Sequence, residues 1–299
     1  MPPAPIRYYH RSKQCVETEQ VYGEKWLRWT YETSLGQLAL NLLAKRVVLS
    51  RYYGWRMSMK ASARLVLPFI VDYNLDVDEF AKNALSYKTF NEFFYRALKR
   101  EARPIAEGER TAVLPADGRH LAFQNVDAAA GFYAKGQQFS LAAFLGDEAL
   151  AARFAGGSLL ISRLCPVDYH RFHFPVGGKP GESQLINGWL YSVSPVALRR
   201  NLAYLWENKR MVTLIESPTF GPVAVVEIGA TMVGSIIQTF VTGRSVAKGD
   251  EKGLFAFGGS CVVTIFQKGR INFDPDLVKP STDGLEVYAK MGESLGTAP

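Results

Sequence analysis

The chain has 299 residues, of which 47% are hydrophobic and 21% are charged. That is enough apolar content for a full core in one large domain or two small ones, and too much for a disordered chain. The three cysteines, Cys15, Cys165 and Cys261, are too few and too far apart for a disulfide framework or a zinc ribbon, and they point to a reducing compartment. The formal charge of +7 is polarised: residues 1–64 carry 11 Lys or Arg against 4 Asp or Glu, and the other 235 carry 24 of each. An excess confined to the N-terminal fifth predicts a surface for an anionic partner, either acidic lipid or nucleic acid. The best apolar runs, Leu38–Ala44 and Leu65–Val71, are stopped by Lys45-Arg46 and interrupted by Pro68, so neither spans a bilayer. The N-terminus has no apolar signal region, and a cytoplasmic protein, soluble or held at a membrane surface, is expected.

In chain order, residues 1–100 read as mostly helical and basic. Trp26, Leu27, Trp29, Leu35, Leu38, Leu42, Leu43, Val47 and Val48 recur at three- and four-residue spacing among basic residues. Thr89 with Glu92 fits a capping box that opens a helix through Phe93, Phe94 and Leu98. The charged stretch Lys99–Arg110, with Pro104 and Gly108, reads as a linker, and 101–110 is taken as its extent. From Thr111 the pattern turns to short β-rich runs: Leu159–Leu164, Leu185–Val193, Met211–Glu216, Val223–Ile228, Met232–Phe240 and Cys261–Phe266. A helix at Ser140–Phe154 interrupts them. The expected fold is α+β: a basic helical region over 1–100, then a mostly antiparallel β-rich core over 111–299. The basic aromatic region has a plain structural reading, helices packed on the β domain with a solvated charged face. It also has a functional one, an interfacial surface in which Trp and Tyr suit the headgroup zone and Lys or Arg attract anionic lipid.

Three segments could carry chemistry. Two of the four histidines, His170 and His173, fall within Cys165–Pro175 beside Asp168, Tyr169 and Arg171. In an extended chain they face opposite ways, and in a turn both can face one pocket. No third ligand stands at a zinc-binding spacing, and no metal is expected. Leu114-Pro115-Ala116-Asp117-Gly118 places a carboxylate in a turn, either to bond its own backbone or to orient a histidine. Phe257-Gly258-Gly259-Ser260 leads into a β-rich run, as a glycine hairpin or as a nucleophile on an unusual backbone. Val262 stands where a Gly-x-Ser-x-Gly elbow needs its last glycine, which disfavours an α/β-hydrolase.

Together, in the order Asp, His, Ser, these segments resemble the phosphatidylserine decarboxylase family. The likeness lies in Pro-Ala-Asp117-Gly, in Asp168-Tyr-His170-Arg-Phe-His173-Phe-Pro and in Phe257-Gly-Gly-Ser260. One departure is Cys261, where the family has Thr or Ser. The resemblance implies an α+β architecture whose N-terminal helices form the lipid-facing entrance. It also implies a proenzyme in which Ser260 attacks the carbonyl of Gly259, His173 takes the hydroxyl proton and Asp117 fixes the imidazole. The chain would be cut between 259 and 260 into a β chain of 1–259 and an α chain of 260–299 that stay together as a heterodimer, with a higher oligomer left open. Ser260 would become a covalent pyruvoyl group, the cofactor (pyruvate) that condenses with the substrate amine as a Schiff base and takes up electrons on decarboxylation. His170 is the implied proton donor, with His173 the alternative after processing. Phosphatidylserine would become phosphatidylethanolamine and CO2 at the cytoplasmic face of the cell membrane, with the enzyme held peripherally on an anionic surface.

Three other readings share parts of this pattern. A serine hydrolase could use Asp117, His173 and Ser260 without self-cleavage. A pyruvoyl decarboxylase could act on a free amino acid, although the basic interfacial N-terminus argues against it. A β-domain adaptor could use the basic arm to bind lipid or nucleic acid. No nucleic-acid partner is expected, since no recognition motif is present and the basic residues are mixed with bulky apolar ones.

Overall fold

The computed structural model describes residues 5–21, 23–40, 47–129, 140–231, 235–256 and 260–299. The fold is α+β with mostly antiparallel strands. The strands, in chain order, are β1 (Arg7–His10), β2 (Cys15–Thr18), β3 (Thr111–Val113), β4 (Gly118–Phe123), β5 (Ser158–Leu164), β6 (Arg171–His173), β7 (Lys179–Pro180) and β8 (Gln184–Ile186). They continue as β9 (Arg210–Ser217), β10 (Gly221–Gly229), β11 (Ile236–Gln238), β12 (Glu251–Phe255), β13 (Ser260–Phe266), β14 (Asn272–Phe273), β15 (Glu286–Ala289) and β16 (Ser294–Thr297). Among the described residues the main sheet runs β2-β1-β15-β4-β5-β13-β10-β9-β7, with β8 also on β9. Two small sheets run β11-β12-β6 and β14-β16-β3.

The central strands β5 (SLLISRL) and β13 (SCVVTIF) are buried along their whole length. A continuous apolar run of this kind fits a strand covered on both faces. Alternate side chains divide between two cores, as the two-residue period of a strand requires. Leu160, Leu164, Val223, Val225, Val262 and Phe266 join Phe172, Phe174, Phe255 and Leu277 on one face. Leu159, Ile161, Ala224, Val226, Cys261, Val263 and Ile265 join Phe144, Phe154, Leu198 and Leu205 on the other. Each fully buried Leu, Val or Phe contributes about 1.5–3 kcal/mol by leaving water.

The stretch 1–100 holds the expected helices, including α1 (Glu24–Glu32), α2 (Ser34–Ala39), α3 (Val47–Met57), α4 (Val66–Asp72) and α5 (Phe90–Phe94). It also holds β1 and β2, and β1 lies parallel to β15 and extends the main sheet. Tyr8 and His10 alternate with Arg7 and Tyr9 there, a two-residue pattern too short to stand out in the sequence. Met57, Val66, Phe69, Ile70, Phe80, Tyr87, Phe90, Phe93 and Phe94 form a separate small core.

Four local expectations change. Thr89 caps α5 by accepting the Glu92 N–H at 3.0 Å, but Glu92 returns its carboxylate to the Lys88 N–H at 2.9 Å, and the helix ends at Phe94. Ser140–Phe154 is two helices, α6 (Leu141–Leu145) and α7 (Glu148–Arg153), divided at Gly146. That residue has φ +71°, a left-handed C-terminal stop that favours glycine. Of Leu185–Val193 only the first residues pair as strand, because the Asn208 side chain bonds both the N–H and the C=O of Tyr191, each at 2.8 Å. Of Met232–Phe240, Ile236–Gln238 is strand and 232–234 lies outside the described residues.

Candidate active site

One end of the main sheet gathers Asp117 and Ser260 with the loop that carries His170 and His173. Antiparallel pairing sets Ser260, the first residue of β13, opposite Leu164, the last of β5, and opposite Gly229, the last of β10. On the next strand Arg119 pairs with Arg163, so Gly118 and the preceding Asp117 reach the same end. Asp117 and Ser260 therefore head strands two spacings apart, roughly 10 Å. Gly118 has φ +154°, and a Cβ there would lie 2.3 Å from the Arg163 carbonyl oxygen. Only glycine lets the chain turn from Asp117 into β4 at this contact.

Asp117 is buried and its carboxylate is fully engaged. Arg103 Nε donates to Oδ1 at 2.8 Å, Arg103 Nη2 donates to Oδ2, and the Met291 N–H donates to Oδ1 at 2.8 Å. Arg103 also meets Glu79 at 3.0 Å. Burial works against the charge on Arg103, but its bonds to Asp117 and Glu79 outweigh that cost and hold its pKa above the usual range.

β5 ends in a turn in which the Asp168 N–H donates to the Cys165 carbonyl at 2.9 Å. The Asp168 carboxylate accepts the Cys165 N–H at 2.6 Å and pairs with Arg119 at 2.8 Å. The turn delivers His170 just ahead of β6 and His173 at its end. The His170 carbonyl accepts the Phe255 N–H at 3.0 Å, and the His173 N–H donates to the Pro115 carbonyl at 2.7 Å. The histidine segment is thereby stitched both to the strand that leads toward Ser260 and to the Pro-Ala-Asp turn.

The two imidazoles have different surroundings. His170 uses Nδ1 against the Asp168 carbonyl at 2.9 Å, and its ring lies over Phe94 with centroids 3.8 Å apart. His173 uses Nδ1 against the Gly249 carbonyl at 2.9 Å and Nε2 against the Tyr169 hydroxyl at 3.2 Å. A carbonyl can only accept, so both Nδ1 atoms carry hydrogen and each Nε2 is left as the proton-exchanging nitrogen. Burial pushes the pKa of His173 down, the bond to Gly249 opposing it, so the ring is neutral near pH 7. Among the described residues Asp117 bonds Arg103 and Met291, and His173 bonds Gly249 and Tyr169; no hydrogen bond joins Asp117 to His173.

Ser260 is fully buried, and its Oγ has no hydrogen-bond partner among the described residues. By alternation with Val262 its side chain lies on the face of Phe172 and Phe255, the side of the small sheet that carries β6. Phe257, Gly258 and Gly259, the predicted carbonyl side of the cleavage, lie outside the described residues. Cys261 points to the opposite core, where burial raises its thiol pKa and keeps it protonated. A buried hydroxyl without a partner costs about 1–3 kcal/mol. Such a position suits a residue whose hydroxyl is converted to another group.

Sequence reasoning missed several residues here. Arg103 sits in a stretch read as a linker, where charges are ordinarily solvated. Lys252 and Glu227 form a fully buried pair at 2.8 Å that ties β12 to β10. Glu227 on the apolar β10 (GPVAVVEIG) was the one available signal. Tyr169 was named only as a neighbour of the histidines.

Ser260, the Pro-Ala-Asp117 turn and the His170–His173 segment all sit beyond strand ends on one side of the main sheet. The family model described as phosphatidylserine decarboxylase matches residues 90–297. Similar proteins named phosphatidylserine decarboxylase proenzyme include one from Chlamydia trachomatis, 45% identical over 97% of this chain and 96% of the relative, and one from Chlamydia muridarum at 47% over the same shares. Another, from Fusobacterium nucleatum, is 41% identical over 97% of both chains. The chain belongs to the phosphatidylserine decarboxylase family and is an enzyme of the carboxy-lyase class.

Proposed function

We propose that the chain cuts itself between Gly259 and Ser260 and then converts phosphatidylserine to phosphatidylethanolamine and CO2. The observation that carries this reading is the fully buried Ser260 Oγ, without a hydrogen-bond partner among the described residues, at the sheet end shared with Asp117 and the His170–His173 segment. In the first step His173 Nε2 takes the Ser260 hydroxyl proton as Oγ adds to the Gly259 carbonyl, moving the acyl group from nitrogen to oxygen. Gly249 holds Nδ1–H and so keeps the lone pair on Nε2. Asp117 acts from its ion pair with Arg103 as a fixed negative charge that favours the imidazolium. Loss of the Ser260 α proton then breaks the Cβ–Oγ bond and releases a chain ending in the Gly259 carboxylate. Water converts the remaining enamine, through its imine, to pyruvoyl and ammonia. Residues 1–259 and 260–299 stay joined through β13, which is paired on both sides within the main sheet.

Ser260 fits this role, since the conversion removes a buried hydroxyl that has no hydrogen-bond partner among the described residues. Once formed, the pyruvoyl group binds the substrate amine and supplies an electron sink when CO2 leaves. His170, with Nδ1 fixed by Asp168, holds the proton on Nε2 and delivers it to the substrate α carbon.

The substrate resides in a bilayer, and the exposed apolar surface of the N-terminal region supports docking there, in this reading at the cytoplasmic face. Of the large hydrophobic side chains exposed among the described residues, all but Leu185, Trp189, Ile237 and Val241 lie in the first 85 residues. They include Trp26, Trp29, Leu35, Trp55 and Val71. No helix of the described residues is long and apolar enough to cross a membrane. Amphipathic aromatic and basic groups on one region fit a protein that lies on an anionic leaflet.

The decisive experiment is intact mass spectrometry of purified protein. Two chains should appear, 1–259 and 260–299, the second blocked at its N-terminus, and Ser260→Ala should give one uncut, inactive chain. A single unmodified wild-type chain with full turnover would overturn the reading and favour an ordinary serine mechanism.

A further inference from the structure

Arg96 is a buried cation that the chemistry above does not use. It follows α5, its guanidinium lies 5.0 Å from the ring centroids of Phe80 and Phe93, and the residue is 5% exposed. Among the described residues its Nη2 makes a long hydrogen bond to the Val167 carbonyl at 3.3 Å. Nε and Nη1 have no partner among the described residues. It lines a cavity of about 330 Å³ shared with Arg103, Asp117, Arg119, Asp168 and Tyr169. Every other Lys or Arg lining that cavity has a carboxylate: Arg103 has Asp117 and Glu79, Arg119 has Asp168, Lys290 has Glu79, and Lys13 has Glu17. The remaining carboxylate, Asp76, accepts the Asp78 N–H at an exposed turn. Of the cations lining this cavity, Arg96 alone has no ion-pair partner among the described residues, and its Nε and Nη1 make no hydrogen bond to them.

A buried guanidinium with free donors is unfavourable until an anion with two oxygens meets it. The substrate in the proposed reaction brings two such groups. Its carboxylate leaves as neutral CO2, so a cation clamped on it would stabilise the starting state against the transition state. Its phosphodiester keeps its charge from substrate to product. The rim fits a lipid as well: Tyr73–Asp76 line the cavity, and the flanking Val71 and Val77 are exposed, continuing the apolar surface of the N-terminal region.

We propose that Arg96 receives the phosphodiester of the lipid headgroup and so makes the site select a phospholipid over free serine. This rests on the decarboxylase reading above and adds to it the residue that grips the substrate. Arg96 is a substrate-binding residue here; it takes no part in the self-cleavage.

The test compares Arg96→Met and Arg96→Lys with wild type on two substrates, dihexanoyl phosphatidylserine and O-hexylserine, which lacks the phosphate. Losing a charged hydrogen-bonded contact should raise KM for the phospholipid roughly 10- to 100-fold in Arg96→Met, less in Arg96→Lys, with kcat nearly unchanged. Turnover of O-hexylserine should match wild type. An unchanged phospholipid KM, or an equal loss on both substrates, overturns the proposal. A wild type that decarboxylates neither substrate overturns the function itself and is a separate result. A second readout does not depend on turnover. Glycerophosphoethanolamine should broaden in phosphorus NMR with processed wild type, less with Arg96→Lys and not with Arg96→Met. Absence of binding to wild type overturns the proposal even where Arg96→Met fails to fold. Equal competition by inorganic phosphate would assign the site to free phosphate instead of a lipid and would overturn it as well.

Discussion

Arg103 and Asp117 close on each other through two parallel contacts, with Nε and Nη2 meeting Oδ1 and Oδ2 while both residues are buried. The pair joins a segment that lacks strand structure to the turn that opens β4. Within it the Asp117 carboxylate lies near enough to the histidine segment to favour the charged form of His173 without a hydrogen bond to it. Its value lies in the completeness of the pairing, because each partner alone would be a buried charge.

Removing one partner should therefore be costly. Arg103→Met is expected to destabilise the chain by about 3–5 kcal/mol. Arg103→Met with Asp117→Asn should cost less than the sum of the single changes. Urea unfolding in the Ser260→Ala background, which keeps a single species, measures all three. Additive losses would show that the two side chains are not coupled.

The two histidines should separate the two steps. His173→Ala should leave the chain uncut, since the base for the Ser260 hydroxyl is gone. His170→Ala should still be cut and should lose decarboxylation by roughly 10²- to 10⁴-fold, the usual range for a proton-transfer group. Gel analysis of the chains beside CO2 release distinguishes them. Full turnover in His170→Ala would remove the proton-donor assignment.

Acid should destabilise the fold earlier than carboxylate chemistry alone would bring about. Burial lowers the pKa of His120 to about 3 and also lowers that of His173. Below about pH 6.5 the unfolded chain binds protons that these folded rings refuse. Their stabilisation is complete above that pH and falls as pH drops toward 3, by about 1.4 kcal/mol per unit for a fully buried histidine. The melting temperature should fall between pH 7 and pH 5. His120→Gln, which can still bond Ser162, should flatten that slope. An identical slope in the variant would exclude His120 as its source.

Membrane docking should show both of its components. Vesicle binding should rise with anionic lipid content and fall with added salt, since each Lys or Arg near the surface contributes about 1 kcal/mol that salt screens. Trp55→Ser should weaken binding at every salt concentration, because it removes apolar contact instead of charge. Flotation with neutral and acidic vesicles reads both effects. Equal binding to the two lipids would eliminate the electrostatic component.

Much of the β core was legible along the chain because its signals are local. The runs at Leu159–Leu164, Met211–Glu216, Val223–Ile228 and Cys261–Phe266 became strands within a residue or two of those bounds. Consecutive apolar residues with turn formers at each end need no knowledge of their neighbours to be extended and buried. Strands paired through tertiary contacts escaped notice: β1 is four residues long and owes its place to β15, some 280 positions later. Tyr191 lost its strand to the side chain of Asn208, a competitor that no local pattern displays.

The candidate site divides along the same line. Asp117, His170, His173 and Ser260 could be singled out in the one-dimensional chain because uncommon residue types stand there in a specific order with distinctive flanks. Their gathering at one sheet end, the grip of Arg103 on Asp117, the Gly249 carbonyl on His173 and the burial of Arg96 in its cavity were decided only in three dimensions. A side chain's partners are set by which strands lie side by side and by what water can reach. Those are properties of the folded packing, and separation along the chain carries almost no trace of them.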